Sequence, residues 1–131
     1  MRGANLANGQ EPVERIAFML VRDGHVLAEK RSPARRVVPG VIALPGGHMD
    51  ASETPLDAAR REMLEELDVK PLEIAYVCTL LHTSQEFRKL HDFAVTSWTG
   101  DITPRVAESV RWIPLDTLQG LDLGVDRVAV S

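Results

Sequence analysis

The sequence predicts one globular domain of mixed α and β structure, and three observations predict it. The chain has 131 residues, 44% hydrophobic and 26% charged, which suits one domain around a single core. A helix with start signals and an apolar stripe begins at Pro55. On both sides of it lie short apolar runs of strand length, separated by turn residues.

The elements follow in order. Residues 1–11 are polar, with two glycines and no period, and are expected to be a flexible tail; residues 12–131 form the domain. Residues 13–21 are expected to be a strand, Asp23-Gly24 a hairpin turn, and residues 25–30 the returning strand. Residues 31–40 carry Arg31, Arg35 and Arg36 with two prolines, a loop composition. Val41–Leu44 is a short strand, and Leu44-Pro45-Gly46-Gly47 should break it into a loop. The two glycines there permit positive φ and a close approach to a ligand. Beyond the helix, residues 72–82 and 89–98 are two longer strands, with polar Thr83–Arg88 as their loop. Residues 109–113 are a further strand, and Pro114 is expected to open a short helix through Leu118. Internal repeats, low-complexity segments and linkers are absent from the sequence.

The helix carries the chemistry. Thr54 is its expected N-cap, Pro55 suits the first position, and Asp57 follows Thr54 by three as in a capping box. Leu56, Ala59, Met63 and Leu67 share the face expected to meet the core. Glu62, Glu65 and Glu66 fall at i, i+3 and i+4 on another face, about 100° away. Like charges at that spacing repel, so a purely structural helix gains nothing from them. A hard divalent cation takes oxygen ligands and removes the repulsion. The face is therefore a candidate platform for Mg²⁺ or Mn²⁺, which a carbonyl from the Gly46-Gly47 loop can join. Taken alone, an E-x-x-E-E cluster is more often a solvated face. Arg61 alone reads as an i±4 partner of Asp57 or Glu65, Glu53 as an exposed loop acid, and Gly-Gly as a turn. Their combination carries the argument.

Residues 47–69 resemble the Nudix box, G-x5-E-x7-R-E-U-x-E-E-x-G-U, where U is a bulky aliphatic residue. The pattern is met at Gly47, Glu53, Arg61, Glu62, Met63, Glu65, Glu66 and Val69. Asp68 departs from it, standing where the family has Gly. Asp tolerates the left-handed C-cap conformation better than most residues, so stability rather than chemistry should bear the cost. The Leu-Pro-Gly-Gly lead-in and the segment Arg111–Asp116 extend the likeness.

The resemblance implies the architecture: an α/β/α sandwich with a mixed β-sheet between helices. It also implies a hydrolase that cleaves a nucleoside diphosphate linked to another group, with Mg²⁺ or Mn²⁺ as cofactor. Carried over by position, Glu65 and Glu66 are metal ligands. Glu62 is a ligand or the base that orients water, and the Gly46 carbonyl completes the shell. Arg61 and Glu53 hold loop and helix together. Glu108, in a downstream polar loop, is a candidate for joining the site, with Glu86 a weaker rival. Arg31, Arg35, Gly47 and His48 are candidate phosphate or substrate contacts; solvated loop charge is the plain alternative for the arginines. His82 and His91 are more often packing or surface residues in such positions.

The likeness of Leu121–Asp126 to the base-contacting segment of MutT-type enzymes makes Asp126 a candidate base reader. Its alternative role is N-cap of a short helix from Arg127. That likeness favours a (d)NTP, oxidised or non-standard forms included, cleaved to NMP and pyrophosphate. Ser84, Gln85 and Glu86 lack the proline that often accompanies ADP-ribose hydrolases, while Phe87 stands near a Tyr of dinucleoside polyphosphate hydrolases. Trp98 and Trp112 can stack a base but sit in strand-like segments. ADP-ribose, nucleotide-sugar or dinucleoside polyphosphate hydrolysis is the alternative, and a non-catalytic regulatory nucleotide-binding domain the second. The latter has no need of three mutually repelling acids.

Net charge is −4, which argues against a nucleic-acid surface and against RNA 5′-end processing. The one cysteine, Cys78, cannot form an internal disulfide and suits a reducing compartment. No apolar run approaches the ~20 residues of a membrane span, and no signal peptide is legible, so the cytoplasm is the expected location. A homodimer is compatible with the resemblance, with no interface legible.

Overall fold

The structure is a computed structural model and describes residues 11–32, 40–83 and 87–118; the side chain of His82 also lies outside the description. Strands β1 (Val13–Arg22) and β2 (His25–Lys30) form a hairpin. Its turn residues Asp23 and Gly24 have φ of 52° and 73°, the positive values a two-residue hairpin turn needs. β3 (Ile42–Ala43) and β4 (Gly46–His48) precede the single described helix, α1 (Pro55–Leu67). β5 (Lys70–Thr83), β6 (Phe87–Thr99) and β7 (Ser109–Pro114) follow.

The seven strands form one mixed sheet with the path β3-β2-β1-β6-β5. β1 is its centre. It runs parallel to β6 from Val13↔Arg88 to Leu20↔Val95, and all other pairings are antiparallel. Its other edge is shared: β4 pairs its first half and β2 meets it at Val21 and Arg22. β7 lies on the outer side of β2.

Side chains alternate across β1, as a strand requires. Ile16, Phe18 and Leu20 face α1 and pack with Leu27, Met63, Leu67, Phe93 and Val95. Ala17 and Met19 face the other way, with Val26, Ala28, Leu44, Leu90 and Ile113. Both faces are buried along β1, which accounts for its near-continuous apolar run.

Four expectations are corrected. Gly46 and Gly47 do not break a strand; they form β4 against Ala17 and Ile16. Neither has positive φ, and Gly46 is required because a Cβ there would run into the Ile16 carbonyl. Leu56 is exposed (37%) while Ala59, Met63 and Leu67 are fully buried, because α1 turns Ala58 rather than Leu56 towards the core at its start. Pro114 ends β7 rather than opening a helix. Residues 115–117 are a turn closed by Leu118 N to Pro114 O (2.9 Å), and Leu118 at φ 54° stops propagation. The long strands begin or end earlier and later than expected, narrowing the 83–88 loop. Residues 1–10 of the expected tail and the expected helix from Arg127 lie outside the described residues, which hold one helix of the expected sandwich. No described helix is long and apolar enough to cross a membrane.

Candidate active site

Helix α1 is fixed at both ends. Thr54, with extended ψ of 161°, accepts the Asp57 N–H on its hydroxyl (3.2 Å), and Pro55 occupies the first turn. At the other end Asp68 adopts φ 61°, ψ 36°, and the Asp68 and Val69 N–H groups donate to Leu64 O and Met63 O. This is the left-handed C-cap expected of that position, held by Asp instead of Gly. The irregular segment 101–107 closes two further carbonyls: Thr103 N–H donates to Leu67 O (2.8 Å) and Arg105 N–H to Glu66 O (2.9 Å). Glu66 is thereby held through its own backbone.

Arg61 ties the helix to the preceding loop. Its Nε and Nη2 donate to the two oxygens of Glu53 (2.6 and 2.8 Å), Nη2 also to the His48 carbonyl (2.9 Å), and Nη1 to Glu65 (3.2 Å). Glu53 in turn accepts the Asp50 N–H (2.9 Å). This planar two-pronged contact uses the fork that only arginine has. The Arg61 hydrogen bonds, then the Asp50 N–H, hold the Glu53 carboxyl down at about 2. The same contact holds the guanidinium above its ordinary range.

The acids differ in setting. Glu62 and Glu66 are buried (7% exposed each), whereas the Glu65 side chain is 55% exposed. Glu62 lies against Gly47 so closely that a Cβ at position 47 would overlap its carboxylate. Burial first, then the charge of Glu66, push the Glu62 carboxyl up to about 7, with Glu65 adding to the shift and Arg61 opposing it. Among the described residues no three acidic, His or Cys side chains are gathered in ligating geometry. Glu65 is turned to Arg61, and three like charges on one face do not converge by themselves. The donor set nevertheless fits a hard divalent cation: all candidate ligating atoms are oxygens, the carboxylates of Glu62 and Glu66 are both buried and repel each other, and Gly47 leaves room for that of Glu62.

A family profile described as the NUDIX domain matches residues 11–129. The chain belongs to the NUDIX family. Its fold is similar to that of a MutT Nudix hydrolase from Burkholderia pseudomallei, at 28% identity and TM-score 0.80, covering 92% of this chain and 97% of that one. A MutT protein from Methanosarcina mazei is similar in fold at 19% identity and TM-score 0.80, with 92% of each chain covered. So is the NUDIX domain of Shewanella oneidensis NrtR, solved in complex with ADP ribose, at 20% identity and TM-score 0.71, covering 98% and 92%. No curated protein matches the chain. The protein is a Nudix hydrolase with a MutT-like fold, and Nudix enzymes generally use a divalent metal.

Within this Nudix domain the box residues Gly47, Glu53, Arg61, Glu62, Glu65 and Glu66 are brought together. Gly46 lies beside them in β4. His48 is exposed, and its Nε2 accepts from Arg15 Nη1 (2.9 Å). Glu108 is engaged with Lys30: its carboxylate pairs with the Lys30 ammonium (3.0 Å) and its N–H donates to Lys30 O. Arg31 is no solvated loop charge; it is buried (7% exposed) with Glu29 at 3.6 Å. His91 bridges Glu14 (2.6 Å) and Thr79 (3.0 Å) across three strands. Trp98 and Trp112 stack on each other with Arg22 over Trp98. Arg35, Arg36, Glu86 and Asp126 lie outside the described residues.

Sequence reasoning passed over four buried charges in strands, Arg15, Glu29, Arg88 and Asp92. The available signal was a charge inside an otherwise apolar strand, which is rarely buried without a partner.

Proposed function

We propose that this Nudix hydrolase is a Mg²⁺- or Mn²⁺-dependent pyrophosphohydrolase of nucleoside triphosphates, oxidised or non-standard dNTPs included, yielding NMP and pyrophosphate. The observation that carries the reading is the buried pair Glu62 and Glu66, Glu62 lying against Gly47 and the charge of Glu66 opposing that of Glu62. Such a pair is costly in an unliganded core and useful at a cation site.

Glu62, Glu65, Glu66 and the Gly46 carbonyl would hold the metal. When bound, it supplies neutralisation of the non-bridging phosphate oxygens in the transition state. The chain's own groups do the rest. Glu62, buried against Gly47, is a ligand of that metal or the base that takes a proton from the attacking water on its carboxylate oxygen. Arg61 and Glu53 keep the loop and helix in register, and His48 and Arg31 are candidate contacts to phosphate. Asp126 is the candidate contact to the base, and Glu108 would have to leave Lys30 to reach the acids.

A cytoplasmic location suits the thiol of Cys78. Burial, then the nearby Asp92 carboxylate at 3.6 Å, pushes it up and away from the reactive thiolate.

The second reading is hydrolysis of ADP-ribose or a related nucleoside diphosphate. It is favoured by the similar fold of an NrtR domain complexed with ADP ribose, a likeness of fold alone. The test is a hydrolysis panel of NTPs, dNTPs, oxidised dNTPs, ADP-ribose, nucleotide sugars and dinucleoside polyphosphates, with products resolved and Glu66→Gln as control. Pyrophosphate and NMP from triphosphates, lost in the control, are expected. Turnover of ADP-ribose alone would replace the first reading with the second.

A further inference from the structure

Glu29 is fully buried in β2, and none of the roles above uses it. It stands on the α1 side of the sheet. Leu27, two residues before it, packs with Met63 and Leu67 of the helix, and alternate residues of a strand share a face. The ladder runs on past Lys30, with Arg31 N–H donating to Val41 O (2.8 Å). Arg31 therefore follows Glu29 on that same face. Its Nη1 lies 3.6 Å from Glu29 Oε1, and both side chains are buried.

The end of β2 that carries this pair is tied to the backbone of the acid helix. Arg105 N–H holds Glu66 O, and three residues later Glu108 N–H holds Lys30 O. Three residues of chain span at most about 10 Å. The backbone at the end of β2 and that of Glu66 are thus joined by one short segment and lie within about 16 Å of each other.

A buried ion pair gives little net stability over an apolar pair of similar volume. Packing alone therefore gives no reason for two charges at this point in the core. A guanidinium does have a use there, because it matches phosphate oxygens. Its long side chain needs an anchor if it is to meet them in one orientation.

We propose that Glu29 is a positioning residue that fixes the Arg31 guanidinium for contact with the phosphate chain of the bound nucleotide. The inference rests on the nucleotide reading above and adds to it a group outside the Nudix box. Glu29 touches no substrate; it acts through Arg31.

The test is calorimetric titration of a non-hydrolysable nucleoside triphosphate with Mg²⁺ into four proteins: wild type, Glu29→Gln, Arg31→Ala and the double variant. Melting temperatures are taken alongside. Glu29→Gln should weaken binding about tenfold, and Arg31→Ala at least as much. The double variant should bind no worse than Arg31→Ala alone, because one residue acts through the other. In turnover assays the Glu29→Gln loss should fall on KM, with kcat within about twofold. Should Glu29→Gln fail to fold, Glu29→Asp serves instead, with weaker binding expected there too. Wild-type affinity in the Glu29 variant, or losses that multiply in the double variant, would overturn the positioning role alone. No binding to the wild type would overturn the nucleotide reading and this inference with it.

Discussion

At the residue scale, Glu53 and Glu62 carry opposite shifts, and their pH consequences differ. Glu53 is held at about 2 against an ordinary 4.5, so its contribution is fully present above pH 4.5 and is lost as pH falls towards 2. Glu62 is raised to about 7, so the folded protein binds the extra proton between pH 4.5 and 7. Its contribution is therefore lost as pH rises through that window. At about 1.36 kcal/mol per pKa unit the rise corresponds to about 3 kcal/mol, and solvent screening brings the loss to the order of 2 kcal/mol. Thermal unfolding without divalent metal should show a melting temperature that declines from pH 4.5 to 7. Glu62→Gln should flatten the decline, and a decline of equal size in that variant would remove Glu62 as its source. Arg61 makes a separate prediction. Lysine keeps the charge but cannot grip both Glu53 oxygens and the His48 carbonyl. Arg61→Lys should lower kcat/KM by about 10–100-fold, the usual cost of losing a group that orients metal ligands. Unchanged kcat/KM would show that the loop holds its position without the fork.

At the scale of elements, α1 was legible because its signals are local. Thr54, Pro55 and Asp57 act within one turn, and the 62/65/66 spacing needs only the helical period. The cap at Asp68 was legible for the same reason, but its partner was not. Arg105 Nη2 lies 3.0 Å from Asp68 Oδ2, and it comes from a segment beyond β6. Asp68→Gly therefore relieves a left-handed backbone and also removes an exposed ion pair. Exposed pairs contribute about 0–1 kcal/mol, and the left-handed cost for Asp is of similar size. The melting temperature of Asp68→Gly should move little in the wild type and rise more in an Arg105→Ala background. An equal rise in both would show that the pair contributes nothing. β4 was not legible at all. Gly46 and Gly47 carry no strand propensity, and only the close contacts with Ile16 and with Glu62 give them their place.

At the scale of the molecule, the sheet brings together what the sequence keeps apart. Gly47 reaches Glu62 because β4 pairs with β1, and β1 carries α1 on its face. The buried charges of Arg15 and Asp92 went unread because their neighbours, His48 and Cys78, come from other strands, and strand order has no local signal. The mixed sheet was expected from the family likeness rather than from periodicity, since the parallel β1–β6 pairing joins residues about 75 apart. Glu108 shows what a positional likeness leaves out: sequence position offers it to the acids, and the fold also gives its carboxylate a partner in Lys30. The central claim is that the acid face of α1 holds a divalent cation. Its most direct measurement is Mn²⁺ binding, followed by electron paramagnetic resonance at neutral pH, in the wild type and in Glu66→Gln. Saturable binding to the wild type, weakened at least tenfold in the folded variant, is the predicted result. Equal binding to both proteins, or none to the wild type, would contradict the claim.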